Sequence, residues 1–193
     1  MRIDRLVVAS KNQDKVREME AVLLGLGLVG EIVTDLRWPD VEETESTLEG
    51  NALLKARAVA AATGLPALAD DTGLEVDALG GAPGVRSARY AGESASYADN
   101  VRALLDRLSG ERHRSARFRT VLALVIPDGH EIVAEGVLEG TIIDEPRGDS
   151  GFGYDPVFDV DGRTLAELDA GEKNAISHRG RALRALAQKL RTG

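Results

Sequence analysis

The chain has 193 residues, 24 of them basic and 32 acidic, with a net charge of −8 and no cysteine. That length fits one domain spanning residues 1–193, or two closely joined lobes. The acidic balance excludes a broad basic footprint for a nucleic-acid polymer. The missing cysteines exclude disulfides and thiolate metal sites and fit a reducing cytoplasm. No apolar run reaches about 18 residues, so no membrane span is expected, and Arg2-Ile3-Asp4-Arg5-Leu6 carries no apolar signal core.

In chain order, Leu6 to Ala9 reads as a first strand. Ser10-Lys11-Asn12-Gln13-Asp14-Lys15 follows it, and then a helix with Val16, Met19, Leu23 and Leu26 at helical spacing. A strand-turn-helix start gathers backbone N–H groups, a hydroxyl, an amide and two lysines, which suits an anion. The glycines of a Walker P-loop are missing. Glu31 to Thr34 is a second strand, ended by Trp38-Pro39 and an acidic loop, Asp40 to Glu45, that carries Glu43. A second helix runs from about Glu49 to Gly64. Its Asn51 and Lys55 are four apart and share a face.

Pro66 to Ala69 reads as a buried strand ending in Asp70-Asp71-Thr72-Gly73. Two adjacent acids resist desolvation, so burial demands a cation or donors nearby. Mg²⁺ would meet that need with oxygen ligands. Leu74 to Leu79 alternates like an exposed strand, and Gly80-Gly81-Ala82-Pro83-Gly84 reads as a loop. A third helix is expected over Tyr97 to Leu108, capped by Ser96. Arg117 to Ile126, the turn Pro127-Asp128-Gly129 and Glu131 to Leu138 form a hairpin, so the sheet is mixed. In Phe152-Gly153-Tyr154-Asp155 flat rings on a permissive backbone suit stacking on a base. Thr164 to Glu167 is a capping box for a short helix, and Lys173 falls in the loop or turn after it. Ser177-His178-Arg179-Gly180 opens a final helix with Leu183, Leu186 and Leu190 inward.

Taken in order, Ser10-Lys11-Asn12-x-x-Lys15, Glu43, Asn51 with Lys55, Asp70-Asp71-Thr72-Gly73, Gly80 to Gly84, Phe152 to Pro156 and Ser177 to Gly180 resemble the inosine triphosphate pyrophosphatase family. These are the HAM1-like diphosphatases of non-canonical purine triphosphates (dITP/XTP diphosphatases). The resemblance covers nearly the whole chain. It departs at Ser10 and Lys11, where many relatives have Thr and Gly, and the bulkier Lys11 gives its backbone a less free approach to phosphates.

The resemblance implies an α/β fold with a long, bent, mixed β-sheet flanked by helices, in two lobes with the active site in the cleft between them. It implies hydrolysis of ITP, dITP and XTP to the monophosphate and pyrophosphate, with Mg²⁺, by a cytoplasmic homodimer. Ser10, Lys11, Asn12, Gln13, Asp14 and Lys15 would bind the triphosphate. Glu43 and Asp71 would hold Mg²⁺, with Asp71 the family's proton acceptor and Lys55 and Asp70 in support. Thr72, Phe152, Gly153, Tyr154, Asp155, Lys173, His178 and Arg179 would contact substrate, the later ones around the base. Arg179 is donor-only and would favour a 6-oxo purine over adenine. The residues alone leave open whether Asp70 or Asp71 is the base, since coupled acids need not have separable roles. The alternatives are a Maf-type nucleotide pyrophosphatase, an aspartyl-nucleophile phosphatase and a nucleotide-sensing module. The second wants its two acids separated by one residue, and mere sensing does not require the carboxylate cluster.

Overall fold

The computed structural model describes residues 2–34 and 36–192. Eight strands, β1 (Ile3–Val8), β2 (Val29–Val33), β3 (Ala67–Val76), β4 (Pro83–Gly84), β5 (Ser115–Val125), β6 (Glu131–Ile142), β7 (Phe158–Val160) and β8 (Arg163–Thr164), form one sheet. Its order is β2-β1-β3-β5-β6-β7-β8, with β4 paired to β3. The sheet is mixed, as expected. β1 runs parallel to β2 and β3, while β4 on β3, β7 on β6 and β8 on β7 are antiparallel. Five α-helices accompany it: α1 (Gln13–Gly25), α2 (Leu48–Thr63), α3 (Tyr97–Arg107), α4 (Ala170–Ile176) and α5 (His178–Thr192). No helix among the described residues is long and apolar enough to cross a membrane.

The helix starts follow from short polar side chains that accept the first turn's amides. Asn12 caps α1, Thr47 caps α2, and Ser96 caps α3 in a reciprocal box with Asp99. Asp169 and Glu172 form the same box at α4. Lys173 therefore lies on a helix and not in the expected loop or turn, because that box starts a helix before it. The C-terminus of α2 is closed by Gly64 at φ 66°, a left-handed position that glycine takes without a Cβ penalty.

The chain divides into two compact units. Unit 1 is Met1–Asp71, Thr120–Gly136 and His178–Gly193, and unit 2 is Thr72–Arg119 and Val137–Ser177. The outermost residues Met1 and Gly193 lie outside the described residues.

In unit 1 the end of β1 from Leu6, the start of β3 and the end of β5 are buried on both faces, so those stretches read as nearly unbroken apolar runs. Leu6, Val8, Leu68, Leu122 and Leu124 pack with Met19 and Leu23 of α1 and Leu183, Leu186 and Leu190 of α5. Val7, Ala9, Ala67, Ala69, Ala123 and Val125 pack on the small residues Ala52, Ala56 and Ala60 of α2. Neighbouring positions thus serve opposite layers, as the two-residue period of a strand requires.

Unit 2 buries one core, around Leu74, Val76, Leu104, Phe118, Leu138 and Phe158. The rings of Phe118 and Phe158 are 4.6 Å apart at their centroids. The intervening positions carry charge instead: Arg117 reaches Glu75 at 2.9 Å and Asp77 at 3.2 Å. This accounts for the alternation at Leu74-Glu75-Val76, which is half-buried and not an exposed strand. Asp77 to Leu79 then turns as a 3-10 helix. Pro83 and Gly84, expected as loop, add a short strand to β3.

The seat of α5 on the sheet depends on Gly136 of β6. A Cβ there would lie 2.1 Å from the His178 carbonyl oxygen and 2.3 Å from the Ala182 nitrogen. Both obstacles are backbone, so the helix itself would have to move. Gly136→Ala is expected to destabilise the protein by about 1–3 kcal/mol, the usual cost of overpacking, read as a lower urea midpoint at unchanged slope. A midpoint equal to wild type would show that the first turn of α5 is not clamped there.

Candidate active site

β3 runs straight through the two acids that the sequence placed at a strand's end. Its partner β1 stops earlier: the parallel register ends at Val8 opposite Leu68, and the last ladder bond is Ala9 N–H to the Leu68 carbonyl at 2.8 Å. Asp70 and Asp71 therefore lie just past the carboxyl end of β1, where an open α/β sheet offers room for a ligand. Both are buried.

Being neighbours on a strand, the two carboxylates point to opposite layers. Asp70 shares the side of Leu68 and meets α1 and α5. Its Oδ2 lies 3.1 Å from Lys15 Nζ and accepts from Arg179 at 3.0 Å. Arg179 also donates to Glu18 of α1. Asp71 shares the side of Ala67 and Ala69 and meets α2. It accepts from Asn51 Nδ2 at 3.3 Å and lies 3.4 Å from Lys55 Nζ. Lys55 also holds Glu43 Oε1 at 2.6 Å, which brings the acidic loop to the same ammonium.

These surroundings push the two acids apart. Burial alone would raise the Asp70 carboxyl, but the charges of Lys15, Arg179 and Lys55 override it and hold it well below the usual carboxylate range. Burial raises Asp71 too; there Lys55 opposes it only in part, and the nearby Glu43 and Asp70 charges add to the rise, so Asp71 ends above its ordinary value. Burial would lower Lys55, but Asp71, Asp70 and Glu43 keep it above its usual range. Asp70 is thus a fixed anion, and Asp71 is the carboxylate with appetite for a proton or a cation.

The donor chemistry suits a divalent ion. Four carboxylates (Glu18, Glu43, Asp70, Asp71) face three cations (Lys15, Lys55, Arg179). Such a cluster is net negative and would repel a polyphosphate unless a cation joined it. Among the described residues no group of three or more His, Asp or Glu converges on a metal position. Two carboxylates, Glu43 and Asp71, are what the chain can offer, and Mg²⁺ is commonly bound through one or two carboxylates, with water and phosphate oxygens completing its shell.

The Ser10 to Lys15 segment is divided. Asn12 spends its side chain on the Asp14 and Lys15 amides at 2.9 and 3.3 Å, and Ser10 Oγ accepts from the Asn12 amide at 3.2 Å. Those first-turn donors are engaged by the cap rather than left open. Lys11 pairs with Asp40, and Asp14 pairs with Arg17 at 2.5 Å. Gln13 is exposed. Of the six, Lys15 pairs with Asp70. Arg179, expected near a base, gives both terminal nitrogens to carboxylates. His178 is buried at the first position of α5.

Within unit 2 a second constellation forms. Lys173 Nζ lies 2.5 Å from Asp155 Oδ2, with both side chains almost wholly buried, and 4.7 Å from the centre of the Phe152 ring. Asp155 Oδ2 also accepts from the Phe152 amide at 2.8 Å. A Cβ on Gly151 would fall 2.2 Å from that same oxygen, so the glycine is what lets the loop close on the acid. Gly153 sits at φ 65°. Tyr154 belongs to the core, its hydroxyl donating to the Ser87 carbonyl at 2.9 Å. Its ring is therefore not a free stacking surface, and Phe152 is half-buried with its ring 5.9 Å from that of Tyr97. Thr72, half-buried, directly follows Asp71 on β3.

The sequence model of the Ham1 family matches residues 6–189. The chain belongs to the Ham1 family. A relative from Symbiobacterium thermophilum named dITP/XTP pyrophosphatase is 54% identical over 191 residues, covering 96% of this chain and 94% of its own. The solved structure of a HAM1 protein from Coxiella burnetii matches with a TM-score of 0.88 at 46% identity, over 99% of this chain and 100% of that one. A Mycobacterium abscessus structure, described as a nucleoside-triphosphatase / dITP/XTP pyrophosphatase, matches with a TM-score of 0.75 at 46% identity, over 96% and 99%. This Ham1 chain thus shares its mixed α/β sheet with solved relatives across nearly its whole length.

Two site residues had no role assigned from sequence. Glu18 stands three positions after Lys15, so helical spacing alone places the two on one face. Asn51 was visible as the companion of Lys55, but nothing in the sequence marks the loop it grips.

Opposite environments give opposite mutational outcomes. Asp70→Asn leaves Lys15 and Arg179 without their shared anion, a loss of about 3–5 kcal/mol for a buried pair. Asp71→Asn behaves differently. An acid raised by folding stabilises the protein only while protonated, and that contribution is lost as pH rises through its folded value. At neutral pH without metal, Asp71→Asn should be as stable as wild type or slightly more so. Urea melts in EDTA check both, and an Asp70→Asn as stable as Asp71→Asn would contradict the assignment.

Proposed function

We propose that the chain is a Mg²⁺-dependent nucleoside-triphosphate pyrophosphohydrolase acting on ITP, dITP and XTP. The buried acids just past the end of β1, each carrying its own lysine, carry this assignment. The name dITP/XTP pyrophosphatase borne by full-length relatives supports the substrate class.

Lys15 and Lys55 put positive charge beside the carboxylates, where the oxygens of a triphosphate would be neutralised. Mg²⁺, held by Glu43 and Asp71, would add Lewis-acid charge stabilisation at the phosphoryl oxygens. Asp70 is clamped by Lys15 and Arg179, so it stays ionised and fixes the position of Lys15. Asp71 is the better proton acceptor because burial and the neighbouring Glu43 and Asp70 charges outweigh what Lys55 does for its anion. The water oxygen forms its bond to the α-phosphorus, and its proton passes to an Asp71 carboxylate oxygen. The bond from the α-phosphorus to the bridging oxygen breaks, and that oxygen leaves with pyrophosphate. No covalent enzyme intermediate is required.

In unit 2, the half-buried Phe152 ring above Lys173 offers a face for a purine, and the Lys173–Asp155 pair offers one donor and one acceptor group beside it. His178 stays in the substrate-contacting set. We further propose a cytoplasmic homodimer, which the cysteine-free composition suits. Light scattering of the purified protein tests the dimer directly.

Incubation with Mg²⁺ and a panel of ITP, XTP, dITP, GTP, ATP and CTP is expected to yield monophosphate and pyrophosphate from the first three. Orthophosphate with diphosphate would place attack at the γ-phosphorus and overturn the assignment. Asp71→Asn should abolish turnover while the chain stays folded. Phe152→Ala should raise the KM for ITP about tenfold, the scale of one base–aromatic stack, with a smaller change in kcat. An unchanged KM would remove Phe152 from the base site.

A further inference from the structure

The stretch from Asp40 to Glu45 has no regular secondary structure and is largely exposed. Such a loop has no intrinsic reason to hold a carboxylate in place, yet Glu43 within it meets Lys55. A second side chain grips the loop two residues further on. Asn51, on the first turn and a half of α2, is wholly buried. Its Oδ1 accepts from the Glu45 amide at 2.9 Å, and its Nδ2 donates to the Glu45 carbonyl at 3.2 Å. A backbone N–H can only donate and a carbonyl can only accept, so the orientation of the Asn51 amide is fixed. The same Nδ2 donates to Asp71 Oδ2 at 3.3 Å.

One primary amide thus joins the backbone two residues after Glu43 to the carboxylate of Asp71. It grips the loop as a neighbouring strand residue would, with one bond accepted and one donated. Lys55, one turn further along α2, bridges the two carboxylates from the other side. We propose that Asn51 is a positioning residue that sets the spacing and orientation of Glu43 and Asp71, and through them the affinity for a divalent cation. It is not itself a ligand: its oxygen is taken by an amide and its nitrogen is a donor. This rests on the assignment of Glu43 and Asp71 as the metal carboxylates. Groups that orient metal ligands commonly account for 10–100-fold in metal affinity.

The test is binding of Mn²⁺ alone to the full chain without nucleotide, read as loss of the free-ion electron paramagnetic resonance signal. A second readout is the Mg²⁺ concentration giving half-maximal turnover of ITP. Asn51→Ala is expected to weaken Mn²⁺ binding about tenfold or more, and to raise the half-maximal Mg²⁺ by a similar factor while kcat at saturating Mg²⁺ largely recovers. A merely structural role would lower the melting temperature and leave both metal constants where they were.

Should Asn51→Ala not fold, Glu45→Pro strikes the same clamp from the exposed loop. It deletes the N–H that Asn51 accepts without touching the core, and a smaller weakening in the same direction is expected. Either folded variant binding Mn²⁺ within twofold of wild type overturns the proposal. Glu43→Gln separates the two levels. If it abolishes Mn²⁺ binding while Asn51→Ala does not weaken it, the positioning role fails and the metal assignment stands. If wild type and Glu43→Gln both leave Mn²⁺ free, the metal assignment falls and the positioning role falls with it.

Discussion

Two carboxylates in succession inside a buried strand are the constraint on which the site is built. Side by side on one surface they would repel, and one of them would be forced neutral. The two-residue period of the strand removes the conflict by sending them to different layers. Asp70 then draws its counter-ions from α1 and α5, and Asp71 draws its own from α2. The asymmetry between a permanently charged acid and a proton-seeking acid needs no special chemistry. It follows from which helix happens to lie on which side, and from Asp70 having two close cations where Asp71 has one that it shares with Glu43.

That arrangement also explains why the packing around it looks as it does. The α2 layer is rich in alanine, and from it Asn51 and Lys55 reach Asp71. The α1 and α5 layer is richer in leucine, and from it Lys15 and Arg179 reach Asp70, with Glu18 pairing to Arg179.

Most of the architecture was legible from local signals. Asn12, Ser96 and Thr164 announced their helical turns, and the hairpin turn at Pro127 to Gly129 announced a mixed sheet. The misreadings have separate causes. The strand is expected to end at Ala69 because acids, threonine and glycine are turn formers in isolation. Here tertiary pairing with β4 and neighbouring β5 overrides that preference and carries the strand on to Val76. Lys173 was set in a loop because the Asp169–Glu172 box preceding it was passed over. In the site, residue types were legible but partners were not. The reach of Arg179 to Glu18 spans 161 positions in sequence, and no local spacing encodes such a contact. Tyr154 looked like a second stacking ring by its place beside Phe152, but a hydroxyl tied to Ser87 makes it a core residue.

β3, β5 and β6 each belong to both compact units, and the chain crosses from one unit to the other at Asp71–Thr72, Arg119–Thr120, Gly136–Val137 and Ser177–His178. Unit 1 is therefore assembled from three stretches of gene and unit 2 from two. Any single crossover between relatives splits unit 1, one between residues 72 and 177 splits unit 2 as well, and no one excision yields either unit by itself. Neither the part bearing the acids nor the part bearing the Phe152 loop can be exchanged alone by one crossover. A change in what either part tolerates is thus always tried against the unaltered other, in the same reading frame.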